Sequence, residues 1–185
     1  MSTDAPSRAR DLIVDMLEQD PWSPGVERQT ADLAPDAPVY REMESMADGL
    51  VIAVARQWGE EDPATVAEEV VDHFGSQEYA GPDGEPAPEF LIVRTALACL
   101  VSMGVVAPQW TTLATTFGRP TLARAAAEAL RFLALQAAAQ TDRSPEQLFT
   151  ALRGGEFSGE GAVDADEAAG RGTDRDADAA EETDA

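Results

Sequence analysis

Residues 90–106 read FLIVRTALACLVSMGVV, and the reading of this stretch decides the fold. Arg94 is its only charged residue. Its apolar residues fall on every side of a helical wheel, the pattern of a helix packed against neighbours all round. The rest of the chain divides into amphipathic helical patterns, turn-rich connectors and an acidic tail. The expectation is an all-α, single-domain bundle of about six helices around a buried central helix.

A membrane span is the competing reading of the same residues. A span needs about 20 mostly apolar residues. This run has 17 and carries Arg94, Thr95, Ser102 and Gly104. An arginine near the bilayer interior costs roughly 3 kcal/mol or more. The flanks are Glu85 and Glu89 on one side and Pro108 on the other, with no basic cluster to set an orientation. A core helix is therefore expected, and no membrane partner. Arg94 is expected to reach the surface along its own apolar stem or to pair with a carboxylate. Cys99 reads as a small buried hydrophobe.

The chain has 185 residues and a formal charge of −22, and every one of its 13 basic residues is arginine. Arginine without lysine, beside abundant alanine and glycine, points to a high-GC bacterial genome, which concerns codons and not function. The charge is uneven. Residues 1–89 carry 21 acidic and 5 arginine side chains, net −16, and residues 90–153 carry 3 and 6, net +3. Residues 154–185 carry 11 and 2, net −9. Such acidity repels nucleic acid and anionic membrane on average. A single cysteine rules out an internal disulfide framework and gives no zinc spacing. The opening MSTDAPSRARDLIV lacks the apolar run and cleavage site of a signal peptide, so a cytoplasmic location is expected.

In chain order, residues 7–20 suit a short helix with Leu12, Ile13, Met16 and Leu17 on one stripe. Residues 20–38 hold four prolines and one glycine and read as a loop or arm, pinned by Trp22 and Leu33. Residues 39–59 form a strong helical pattern through Met43, Met46, Leu50, Val54 and Trp58. Asp62 and Pro63 are an N-cap and a first helical residue. Val66, Val70 and Phe74 follow on one stripe, with Ala67 and Val71 beside it. Residues 76–88, SQEYAGPDGEPAP, are a turn-rich connector. Trp110, Leu113, Ala114 and Phe117 make a short helix that Gly118 closes. Pro120 opens an alanine-rich helix running to about Gln140. Ser144 to Gln147 is a capping box for a last helix, ended by Gly154 and Gly155. From Glu156 onward Phe157 and Val163 are the only large apolar residues, and the composition is that of a disordered tail. The expected division is therefore 1–38 as short helix and arm, 39–153 as bundle core, and 154–185 as tail.

No reactive constellation emerges. His73, the only histidine, has no ligand partners at metal spacing and reads as a surface residue. Adjacent pairs such as Glu60 with Glu61 and Glu68 with Glu69 do not face one another on a helix. No glycine-rich phosphate loop precedes a helix. No catalytic residue, cofactor-binding residue, metal ligand or cofactor is expected.

One segment carries a resemblance. Residues 111–133, TTLATTFGRPTLARAAAEALRFL, resemble the helix-turn-helix of many bacterial regulators. Leu113 and Ala114 would lie in the first helix, Gly118 at the turn, and Thr121, Leu122 and Arg124 on the second. The resemblance implies duplex binding through that second helix. The spacing from Gly118 to Leu122 is about two residues shorter than the usual turn, and Arg119, Arg124 and Arg131 are the only phosphate donors. A body at −22 opposes binding to a duplex.

The function expected is therefore that of a non-enzymatic cytosolic interaction protein, a self-associating one first of all, with a homo-oligomer or a protein partner as its partner. The expected contact faces are the alanine face from Leu122 to Ala137 and the stripe from Met43 to Trp58. The alternatives are a transcriptional regulator using residues 111–131, and an apolar small-ligand binder lined by Met46, Trp58, Met103 and Trp110.

Overall fold

The computed structural model describes residues 4–60, 62–77, 87–102 and 107–157. The described residues form eight helices: α1 (Asp4–Glu18), α2 (Pro24–Thr30), α3 (Pro38–Trp58), α4 (Pro63–Gly75), α5 (Pro88–Leu100), α6 (Ala107–Phe117), α7 (Arg119–Gln140) and α8 (Pro145–Gly154). There is no strand among them. The residues 78–86 and 103–106, and the tail from 158 with Val163, lie outside the described residues.

Local chemistry sets the helix boundaries. Proline occupies the first turn of α2, α3, α4, α5, α7 and α8. Its fixed φ suits that position, and its missing N–H is one the helix leaves unpaired anyway. Asp62 caps α4 by accepting from the Ala64 N–H at 3.0 Å. Ser144 and Gln147 exchange both bonds of a capping box at the start of α8, at 3.3 and 2.9 Å. Gly59 and Gly155 end α3 and α8 in the left-handed region, with φ of 68° and 81°, where a side chain would be strained.

The bundle forms around a buried central helix, and that helix is α7. It packs against α1, α2, α3, α5, α6 and α8, and its Phe132 meets Phe74 of α4 edge-on at 4.8 Å. Eight of its alanines are buried, at positions 123, 125, 126, 127, 129, 134, 137 and 138. Small side chains let neighbouring helix axes come close from several directions. The apolar stretch at residues 90–106 does not hold this place. Its helix ends at Leu100, and only Phe90, Val93, Ala96, Leu97, Cys99 and Leu100 of α5 are buried. Leu91, Arg94, Thr95 and Ala98 are exposed. Apolar density made the stretch look surrounded, but α5 covers one side of α7 and keeps its other side at the surface.

The proline-rich arm is also more ordered than its composition implies. Ser23 caps α2, accepting from the Val26 N–H at 3.3 Å, and Val26 and Thr30 are buried. Thr30 satisfies its hydroxyl by donating to the Val26 carbonyl at 2.9 Å. Arg124 of α7 holds the turn before α2. It donates to the carbonyls of Pro21 and Trp22 at 3.2 and 2.7 Å, and its guanidinium lies 4.8 Å from the centre of the Trp22 ring.

The two ends of the described chain are tied down as well. Arg153 of α8 reaches Asp11, Asp15 and Glu18 of α1 at 3.4, 2.9 and 3.3 Å. Just past α8, Phe157 is buried with its backbone against Gly49 of α3. An added Cβ at Gly49 would lie 2.8 Å from the Phe157 carbonyl carbon and inside contact distance of its oxygen. Arg143 clamps this segment, 2.7 Å from Glu156 and with its guanidinium 5.5 Å from the Phe157 ring centre. The start of the expected tail is thus part of the folded body.

Candidate interaction surface

Both expected contact faces are turned inward. Met43, Met46, Leu50 and Val54 are fully buried or nearly so. Trp58 alone of that stripe is exposed, at 44%, and its indole N–H donates to Gln140 Oε1 at 2.9 Å. The alanine face from Leu122 to Ala137 forms the contacts of the central helix and meets no solvent.

The helix-turn-helix segment has helical limbs, α6 and α7, joined at Gly118. No residue from Pro120 to Ala134 is exposed, and Arg124 is engaged with the α2 turn. A recognition helix needs an open face to enter a groove; here that stretch is the middle of the core. Trp58 and Trp110 of the expected apolar site are not brought together. Trp110 is buried with its ring tilted against Tyr40, centroids 5.0 Å apart, and it donates to Glu44 at 2.5 Å. Trp58 sits fourteen residues further along α3, about 21 Å away along the axis. Met103 lies outside the described residues.

Among the clefts of the described residues, two flank α4. The first lies between α4 and α5 and has a volume of about 450 Å³. Ala64, Ala67, Val71, Ala98 and Val101 give it an apolar lining, and Glu68, Asp72 and Ser102 supply polar groups. Ala64, Ala67 and Val71 form a second apolar edge on α4, beside the Val66, Val70 and Phe74 stripe that packs inward. That second edge was present in the sequence, as Ala67 and Val71 next to the main stripe, but it read as a widening of one core face.

The second cleft lies between α3, α4 and α7, with a volume of about 290 Å³. Val54 and Val70 line it as buried apolar residues, and Trp58, Glu69, His73, Gln136 and Gln140 complete it. The His73 ring is stacked against Phe132 at 6.1 Å. His73 is a surface residue, as expected, and it shares this cleft with Glu69 one helical turn before it.

The electrostatics fit a packed body with an acidic exterior. Burial pushes the Tyr40 hydroxyl up to about 12. Burial, and then the charge of Glu44, raise both Asp48 and the Cys99 thiol. Burial also raises Glu128, against a smaller opposing effect of Arg131. Cys99, the single cysteine of the chain, is buried. Arg94 reaches the surface and packs by its guanidinium along Gly75. Among the described residues no group of three or more His, Cys, Asp or Glu side chains is placed to hold a metal ion. No helix among them is long and apolar enough to cross a membrane.

In comparison with known proteins, no family model, no curated protein and no solved structure matches this chain.

Proposed function

We propose that this chain is a non-enzymatic helical interaction protein that receives a basic amphipathic segment of a partner protein in the α4/α5 cleft. The observation that carries the reading is the cleft's chemistry: an apolar lining of small side chains with Glu68 and Asp72 beside it. An amphipathic helix docks by laying its apolar face into such a groove. The partner is basic because α4 is acidic and residues 1–89 carry a net −16. Opposite charge steers encounter and favours that partner over acidic ones. A second copy of this chain is the weaker occupant, since the faces expected to pair lie in the core and two bodies at −22 repel.

The test is fluorescence anisotropy with an amphipathic 18-residue peptide of leucine, lysine and arginine, against its charge-reversed glutamate counterpart. The basic peptide binds at low salt and weakens as salt rises. Ala98→Trp, at an exposed position, fills the cleft and weakens binding about 10-fold, roughly 1.4 kcal/mol, while circular dichroism stays unchanged. Equal binding of the two peptides, or full affinity in the Ala98→Trp protein, refutes the reading. Light scattering that gives a stable dimer abolished by Ala98→Trp transfers the cleft to self-association.

A further inference from the structure

The cleft on the other flank of α4 has a different chemistry, and its ligand does not depend on what occupies the α4/α5 cleft. Its volume of about 290 Å³ lies at the small end for sites that take organic molecules. Val54 and Val70 form its apolar floor. Trp58 supplies an aromatic ring that is 44% exposed, although most large aromatic and aliphatic side chains here are buried. Its N–H is already spent on Gln140, which fixes the ring's orientation and leaves the π-face as its means of recognition. Gln136 and Gln140 add carboxamide groups, and Glu69 adds a carboxylate. No arginine is among the residues that line the cleft.

An aromatic face together with a carboxylate, and no lining arginine to oppose it, selects positive charge. A cation within about 6 Å of a tryptophan ring is drawn to the ring's quadrupole. A neighbouring carboxylate adds Coulomb attraction, and the net −22 of the chain raises the local concentration of cations. An anion would meet Glu69 with no lining arginine to balance it. We infer that the Trp58–Glu69–His73–Gln136–Gln140 cleft binds a small organic ammonium compound, one substituted nitrogen carried on a short apolar body.

The experiment uses the full chain with its three tryptophans replaced by 5-fluorotryptophan, observed by fluorine NMR. Trp58→Phe assigns the Trp58 resonance. Phenethylammonium and tetramethylammonium are the probes, with phenethyl alcohol as the neutral isostere. The ammonium probes move the Trp58 resonance saturably and leave Trp22 and Trp110 in place. Glu69→Gln, on an exposed position, weakens this binding about 3- to 5-fold. Glu68→Gln, which belongs to the other cleft, leaves it unchanged. An equal shift with the neutral isostere overturns the charge argument, and no saturable shift overturns the site. A lysine-rich peptide that moves Trp58 at far lower concentration than either free amine overturns the small-molecule assignment in favour of a protein side chain.

Discussion

Replacing Gly49 by alanine has opposite effects with and without the segment that follows α8. Inside a helix, alanine is better than glycine by about 1 kcal/mol, so Gly49→Ala should stabilise α3. The new methyl, however, meets the backbone of Phe157, with the carbonyl carbon 2.8 Å away. Backbone cannot rotate aside as a side chain end can, so residues 156–157 must lift. That exposes Phe157, at about 2 kcal/mol. It also loosens the half-exposed Arg143–Glu156 pair, at up to about 1 kcal/mol, and the Arg143 contact with the ring, at about 0.5 kcal/mol. The balance is a net loss of about 1.5–2.5 kcal/mol, or about 3–10 °C in Tm. Urea unfolding followed by circular dichroism measures it in four proteins: the full chain and a chain ending at Gly155, each with glycine or alanine at position 49. In the shorter chain nothing opposes the methyl, and Gly49→Ala should stabilise by about 0.5–1 kcal/mol. A loss of the same size in both lengths would refute the reasoning, as would a gain in the full chain.

Three further outcomes follow from contacts already described. Glu128 has a folded pKa raised chiefly by burial, so its ionised form is penalised in the folded state. That penalty is absent below the unfolded value near 4.5 and complete once pH rises through the folded value. Glu128→Gln should therefore exceed the native chain in stability at pH 7, by under about 1 kcal/mol given its partial exposure, and match it below about pH 4; calorimetry across that range checks this. The Cys99 thiol, buried and raised in pKa, should resist a thiol-reactive dye in the folded protein and label fully in denaturant; fast labelling without denaturant would mean α5 opens readily. Arg124→Ala removes two charged hydrogen bonds, the ring contact and a 3.6 Å pairing with Glu27. The expected loss is about 2–3 kcal/mol, with a red shift of Trp22 fluorescence; an unchanged spectrum would show that α2 is held by other contacts.

The local signals in the sequence were the readable ones. Asp62 before Pro63, and the capping box at Ser144, mark helix starts through bonds between residues two or three apart, and both are present. The same serine-then-proline signal stands at Ser23 and Pro24, but the density of prolines around it reads as a loop and hides α2. Position in the bundle was less legible, because it depends on partners distant in sequence. Residues 90–106 are rich in large apolar side chains, yet Leu91 is 48% exposed. The central place belongs to a helix whose alanines contribute little to any hydropathy pattern. The candidate clefts were hardest to read. Each needs residues from two or three helices, and their α4 edges differ only by rotation around one helix.

Because the alanines of α7 set how near every neighbouring helix can come, substitutions that enlarge them are the ones this architecture tolerates least. One base change turns an alanine codon into one for valine or threonine, and either side chain would have to wedge its neighbours apart. Volume-conserving swaps on the surrounding helices, such as leucine for methionine, cost less, usually under about 1.5 kcal/mol. The tightest constraint on this bundle therefore lies in the placement of its smallest residues and not of its bulky ones.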